Sequence, residues 1–197
     1  MMIQHRIARW LAEFGDQGPL AFTSIGIILF LLIADVLIER RPFAPRVFWA
    51  LLDVLVSGIL ALLVVFPLFD AQAQARRTFS LFCLIFFTAT LLDLDHFIAA
   101  RSLNLCDALT LKSRPPTHSL TFASVIGLAA ALISRNPIIG WGMFAALASH
   151  ILRDASGGIT PIFWPLPLDA IPWWAYYGGE IGLFLTSFLL MRKGWVA

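Results

Sequence analysis

The chain has 197 residues and a formal net charge of +2; 59% of its residues are hydrophobic and 13% are charged. This apolar excess, with a mean hydropathy of +0.84, excludes an ordinary soluble domain. The small net charge gives no basis for a nucleic-acid partner. Of the two cysteines, Cys83 lies within an apolar run, so we expect no disulfide with Cys106.

The N-terminal segment, residues 1–16, intersperses apolar residues with charged ones such as Arg6 and Arg9, which predicts an interfacial amphipathic helix. A frayed polar terminus is the alternative, and the charged residues argue against a signal peptide. Beyond it, the apolar runs predict one all-α domain over residues 1–197, a polytopic helical membrane protein with about six transmembrane helices. The predicted spans are residues 20–38, 47–69, 78–92 and beyond, 118–134, 138–152 and 176–191.

Polar side chains interrupt the apolar pattern at the ends of three predicted spans. In chain order these clusters are Asp93, Asp95 and His96; Arg114 and His118; and His150, Arg153 and Asp154. Because consecutive spans alternate in direction, the end of the third, the start of the fourth and the end of the fifth lie on one membrane face. The pattern therefore predicts that the three clusters meet.

The residue types in these clusters indicate a metal site. Imidazole and carboxylate groups bind zinc, manganese and iron, and three of the four histidines fall in the clusters. We predict one or two divalent ions, with zinc or manganese favoured. The predicted ligands are Asp93, Asp95, His96, His118, His150 and Asp154.

The remaining cluster residues suggest hydrolysis. A bound metal would make hydroxide available near neutral pH, and an incompletely engaged aspartate, Asp93, could act as general base. Arg114 and Arg153 could bind an anionic group. The helix start at residues 117–119 could offer free backbone N–H groups to the same anion.

Each cluster taken alone also has a structural explanation. Asp93 and Asp95 are equally consistent with solvated interface charges, and His118 alone is more consistent with a simple helix-start residue. His150 and Asp154, four residues apart on one helix face, could form a structural hydrogen-bonded pair. The other acidic residues that we considered have no motif and are interpreted as structural: Asp35, Asp53, Asp169 and Glu180.

Three motifs in order, over about residues 90–166, resemble the YdjM-like family of membrane-bound metal-dependent hydrolases. They are LDLDH (92–96), RPPTHSL (114–120) and SHILRD (149–154), the last followed by GITPIFWP (158–165). The resemblance implies that the six predicted ligands bind metal and that the protein lies in a bacterial inner membrane. Leu92, Ser113 and Pro115 depart from the family's proline, histidine and glycine, and the missing histidine bears on a second metal ion.

Together these patterns predict a membrane-embedded metal-dependent hydrolase that acts at the interface on a lipid-linked phosphoester. The predicted catalytic residues are Asp93, Arg114 and Arg153, and the predicted partner is a membrane lipid or lipid-linked substrate. The alternatives are a metal-binding transporter and a non-enzymatic membrane protein with a structural metal. Charged groups inside the spans would favour the transporter, whereas the predicted positions at span ends favour the enzyme.

Overall fold

All regular secondary structure is helical in the part of the chain that the computed structural model describes. That part comprises residues 46–70, 75–166 and 170–192, with seven helical residues between 22 and 33. The long helices are α1 (Arg46–Val65), α3 (Ala75–Leu91), α6 (Leu120–Ser134), α7 (Pro137–Gly157) and α8 (Trp173–Arg192). The short ones are α2 (Pro67–Asp70), α4 (Asp95–Ala100) and α5 (Leu105–Leu109), and a 3-10 turn, Leu92–Leu94, joins α3 to α4. The predicted all-α class is confirmed, while residues 1–16 lie outside the described residues.

One described helical stretch, Thr78–Ala100, is long and apolar enough to cross a membrane, as judged by length and composition. Two further apolar helices, Ala50–Val65 and Leu120–Ser134, are shorter than a typical span. The predicted count of about six spans is therefore not reproduced by the described helices. One reason is that Pro67 begins a separate short helix inside the predicted second span, since proline cannot continue the preceding hydrogen-bond pattern.

The predicted third span is longer than expected. We expected it to run to residue 92 and beyond and to end in the polar residues 93–96, whereas the helical stretch continues through the 3-10 turn to Ala100. Asp93 and His96 therefore lie within the candidate span rather than beyond its end. They are accommodated there because both contact polar groups from other parts of the chain.

Helix α7 is the central element of the fold and packs against α1, α3, α6 and α8. Its small residues, such as Ala145, Ala146 and Ala148, are buried and let the neighbouring helices approach closely. Ile85 of α3 and Val64 of α1 fill the same core. Burial on several sides leaves the polar residues at the C-terminal end of α7 inside the protein.

Helices α6 and α7 form a tight antiparallel pair. The turn between them uses Arg135, which has a left-handed φ of 52°, and Asn136, whose side chain caps α7 by accepting from the Ile138 N–H at 2.9 Å. Gly127 and Gly140 face each other, and a Cβ at Gly140 would lie 2.7 Å from the Gly127 carbonyl. The two backbones are therefore as close as glycine permits.

The loop after α7 returns to the segment that precedes α6. The Arg114 N–H donates to the Ile159 carbonyl at 3.1 Å, and the Leu120 N–H donates to the Ile162 carbonyl at 2.7 Å. Ile162 is buried beneath this contact. These bonds hold the residues between 114 and 120 against the C-terminal end of α7, where His150 and Asp154 lie.

Candidate metal centre

Side chains from all three polar clusters converge at one point. The His118 Nε2 lies 3.5 Å from the Asp93 Oδ1 and 3.3 Å from the Asp154 Oδ2. The His150 Nε2 lies 3.3 Å and 3.6 Å from the same two oxygens. Two imidazole nitrogens and two carboxylate oxygens thus face a common centre.

Four of the six distances among these atoms, 3.3–3.6 Å, match the edges of a tetrahedral metal site. Metal–ligand distances of about 2.0–2.2 Å give ligand–ligand edges of roughly 3.3–3.6 Å in a tetrahedron. The ring nitrogens of His118 and His150 and the Asp154 Oδ2 are buried, and none of them makes a well-formed hydrogen bond within the described residues. Buried polar atoms are normally satisfied, so this arrangement fits a divalent ion better than a purely structural pairing.

His96 lies beside this centre with wider spacing. Its ring stacks on that of His118 with 4.8 Å between ring centroids, and its Nδ1 is 3.9 Å from the Asp93 Oδ1. Ligand-capable atoms of Asp93, His96, His118 and Asp154 all lie within 4.8 Å of one another. His96 is therefore near enough to exchange for His150 as a ligand after a small movement, but His150 has the closer contacts.

Asp95 contacts the other edge of the His118 ring. Its Oδ2 lies 3.2 Å from the His118 Nδ1 and also accepts a hydrogen bond from the Thr117 hydroxyl. The Asp95 Oδ1 is 3.9 Å from the His96 Nε2. Asp95 is thus in the cluster, but it faces a different nitrogen of His118 from the one that faces Asp93 and Asp154.

Arg114 forms a two-point ion pair with Asp154. Its Nε lies 3.1 Å from the Asp154 Oδ2, and its second terminal nitrogen donates to Oδ1 at 3.3 Å. The remaining nitrogen lies 3.3 Å and 3.4 Å from the ring nitrogens of His96. The Arg114 side chain is 32% exposed and that of Asp93 is 24% exposed, so these two residues form the accessible side of an otherwise buried cluster.

The Arg153 guanidinium contacts α1 rather than the converging atoms. It donates to the Ser57 hydroxyl at 2.7 Å and to the Asp53 carbonyl at 2.8 Å, and it forms an ion pair with the Asp53 carboxylate. Neighbouring residues on a helix point about 100° apart, so Arg153 and Asp154 cannot face the same partner. We therefore assign Arg153 to the α1–α7 contact, in place of the predicted anion-binding role.

Three N–H groups around the helix start beside His118 donate to groups of the protein. The His118 N–H donates to the Pro115 carbonyl at 2.9 Å and the Leu120 N–H donates to Ile162. The Phe122 N–H donates to the Ser119 hydroxyl, which caps α6. These three donors are therefore not available to an anion.

His118 precedes α6, outside the apolar helices, and its charge state depends on the cluster. Burial favours the neutral imidazole, but the Asp93 and Asp95 carboxylates, which lie 3.5 Å and 3.2 Å from its ring nitrogens, and the charge of Asp154 outweigh that effect and raise the pKa of His118. In the metal-free protein the three carboxylates therefore favour the imidazolium form.

The sequence reasoning missed Thr117 as a partner of Asp95, and it left Asp53 as a structural residue without naming Arg153 as its partner. Adjacency to His118 was the one available signal for Thr117. Glu180, also interpreted as structural, is buried in α8 and accepts from the Ser149 hydroxyl at 2.9 Å. Ser149 precedes His150, so this bond ties α8 to α7 next to the cluster.

Comparison with known proteins shows a vertebrate family. Transmembrane protein 267 of Xenopus laevis is 31% identical over 171 residues, which cover 79% of this chain and 75% of the relative. The chain belongs to the transmembrane protein 267 family. Transmembrane protein 267 of Mus musculus is 32% identical over 162 residues, covering 76% of this chain and 71% of the relative. No family model and no solved structure matches the chain.

Membership of the transmembrane protein 267 family confirms the predicted membrane class and corrects two other predictions. The assignment to the YdjM-like family is wrong, because the relatives that match across most of the chain carry a different name. Its motifs are short, and short motifs match by chance more often than an alignment over most of the chain does. The bacterial inner-membrane location is wrong for the same reason, since the matched relatives are vertebrate transmembrane proteins.

Proposed function

We propose that this member of the transmembrane protein 267 family is a membrane-embedded metal-dependent hydrolase. The observation that carries the proposal is the convergence of two imidazole Nε2 atoms and two carboxylate oxygens at spacings of 3.3–3.6 Å. His118, His150, Asp93 and Asp154 would hold a divalent ion, with zinc or manganese favoured. When bound, such an ion supplies Lewis acidity and hydroxide near neutral pH.

The charges of the cluster favour one divalent ion rather than two. Asp93, Asp95 and Asp154 contribute three negative charges when ionised, and Arg114 contributes one positive charge. One divalent cation with neutral histidines makes the cluster electrically neutral, whereas a second would leave an excess of two positive charges. Uncompensated charge is costly in a buried, apolar setting, so we propose a single ion per chain.

The accessible side of the cluster suggests where a substrate would bind. Asp93 and Arg114 are its two most exposed charged side chains. Arg114 would hold an anionic group by exchanging part of its contact with Asp154. Asp93, the exposed one of the four ligands, would give up its position at the ion to an entering water and accept a proton from that water. Apolar side chains of the Thr78–Ala100 stretch, such as Leu94 and Ile98, are exposed nearby in sequence. This combination favours a lipid-linked phosphoester as substrate and membrane lipid as partner.

A metal transporter is a second candidate, and one observation favours it. Asp93 and His96 lie within the apolar stretch Thr78–Ala100, not at its end. Ionisable groups within a transmembrane segment commonly line an ion pathway. The same ligands would then hold an ion in transit rather than one that stays bound.

The test is made on the full-length protein purified in detergent and stripped of metal. We expect zinc or manganese to bind with one ion per chain and to restore hydrolysis in a panel of phosphoester lipids. Asp93→Asn should bind metal more weakly and abolish turnover. Ion uptake into proteoliposomes without hydrolysis would support the transporter instead. Bound metal with neither activity, whose removal unfolds the protein, would show a structural metal.

A further inference from the structure

Asp95 was predicted as a metal ligand, yet its position in the structure differs from that of the other carboxylates. Its Oδ2 faces the His118 Nδ1 at 3.2 Å, whereas Asp93 and Asp154 face the His118 Nε2 at 3.5 Å and 3.3 Å. The two nitrogens lie on opposite sides of an imidazole ring. An ion held by Nε2 therefore lies on the far side of the ring from the Asp95 Oδ2.

We propose that Asp95 is a positioning residue, which fixes the orientation and tautomer of His118 so that its Nε2 is the atom that binds metal. This inference rests on the metal site of the proposed function. A carboxylate that faces Nδ1 favours the tautomer with the proton on Nδ1, which leaves the Nε2 lone pair free and makes Nε2 a better ligand. His118 is fully buried, and Asp95 is the carboxylate that faces its Nδ1.

Thr117 completes the arrangement from the neighbouring position. Its hydroxyl donates to the same Asp95 oxygen that faces the His118 Nδ1. Asp95 is the first residue of α4, and Thr117 and His118 lie in the loop before α6, so this contact joins two separate parts of the chain. The Asp95 Oδ2 is thereby held by a hydroxyl while it faces the ring that it orients.

A second metal ion would be the competing role for Asp95. The Asp95 Oδ1 is buried without a hydrogen bond within the described residues, and it lies 3.9 Å from the His96 Nε2. The Arg114 guanidinium, however, lies against the His96 ring at 3.3 Å and 3.4 Å and supplies positive charge there. Because a single divalent ion already makes the cluster electrically neutral, we expect no second ion for Asp95 to bind, and the positioning role remains.

The experiment measures Co²⁺ binding to the full-length protein and to four variants by titration and by visible absorption. Asp95→Ala should weaken affinity by about 10–100-fold, the usual effect of losing a partner that orients a ligand. At saturation it should still bind one ion with the parental absorption spectrum, because the donor atoms are unchanged. Asp95→Asn and Thr117→Val should weaken affinity less. Asp107→Ala, which removes an exposed carboxylate bonded to Ser102, is the matched control and should match the parent.

Each other outcome contradicts the positioning role in a distinct way. If both Asp95 variants bind fewer Co²⁺ ions per chain than the parent, or if their spectra at saturation differ from the parental spectrum, Asp95 is a ligand. An affinity equal to that of the Asp107→Ala control would show that Asp95 has no part in binding. If the parent binds no Co²⁺, both this inference and the proposed metal-dependent function are wrong, whereas the first two outcomes leave the proposed function standing.

Discussion

At the scale of single residues, the two buried histidines define the centre. His118 and His150 are 0% and 1% exposed, and their Nε2 atoms approach the same two oxygens. We expect His118→Ala or His150→Ala to lower bound metal sharply, because either change removes one of four converging ligands. Mass spectrometry of the purified protein measures metal content. His5→Ala, outside the described residues, is the control, and parental metal content in both cluster variants would contradict the site.

Arg114 is the one cation that pairs with a predicted ligand at the accessible side of the cluster in the described structure. Arg114→Ala should lower kcat/KM for an anionic substrate by about 10–100-fold, since a charged contact contributes roughly 1.5–3 kcal/mol. Metal should remain bound, because a protonated guanidinium is not a ligand. Arg114→Lys should recover part of the activity, as it restores charge but not the two-point geometry seen with Asp154. Metal loss in Arg114→Ala would instead show a role in holding Asp154.

Protons and metal compete for His118. The neighbouring carboxylates raise the pKa of His118 in the metal-free protein, despite its burial. A histidine ligand must be neutral, so metal affinity should fall as pH is lowered through this raised pKa, starting above the ordinary value of about 6.5. The stability of the metal-free protein depends on pH in the opposite direction. Protonated His118 stabilises the fold at low pH, and this contribution is lost as the pH rises through the raised pKa. Zinc titrations across pH test the first statement, and an affinity independent of pH would contradict it.

At the scale of elements, α7 contributes residues to the cluster and also contacts α1. Its C-terminal end presents His150 and Asp154 to the cluster, while Arg153 between them contacts Asp53 and Ser57 of α1. The α6–α7 pair then sets how far His118 lies from His150. Small changes in helix packing should therefore reach the metal site.

The Gly127–Gly140 contact tests this coupling. Gly140→Ala should lower the free energy of unfolding by about 1–3 kcal/mol, because the added methyl group meets Ala131 and the Gly127 carbonyl. It should also weaken metal binding by displacing α7 from α6. Gly182→Ala in α8 is the matched control, since its Cβ meets nothing within 4 Å, and it should be neutral or stabilise by up to about 1 kcal/mol. Equal effects of the two substitutions in detergent unfolding would contradict close packing at Gly140.

At the scale of the whole molecule, the arrangement across the membrane follows from which loops share a face. If α6 and α7 each cross the membrane, the loops before α6 and after α7 lie on the side of the cluster. Exposed apolar side chains along the described helices, including Phe79, Phe87 and Leu132, suit contact with lipid. The α6–α7 turn would lie on the opposite side.

Cysteine labelling tests this topology in a background without Cys83 and Cys106. With an impermeant thiol reagent, Ser102→Cys and Ser113→Cys should label from one side of the membrane, and Asn136→Cys should label from the other. Alternation of spans is the reason for this expectation. Labelling of all three from one side would show that α6 and α7 form a re-entrant hairpin, which keeps the cluster together but removes two spans.

The amino-acid sequence by itself determined the helical membrane class and the residues that could bind metal. Apolar composition and run length require helices that bury their backbone groups in lipid, and they require partners for ionisable residues such as Asp93 and His150. Both conclusions depend on composition and on spacing along the chain. The same reasoning could not distinguish the short metal-binding motifs of one family from those of another. The vertebrate relatives corrected that family assignment.

Only the tertiary structure decided what each polar group contacts. Asp95 was indistinguishable from Asp93 in sequence, yet the two face different nitrogens of His118. Arg153 was indistinguishable from Arg114, yet it contacts α1 because the rotation of about 100° per residue turns it away from its neighbour Asp154. Spacing along a chain specifies which face of a helix a side chain occupies, but the partner on that face depends on how the helices pack.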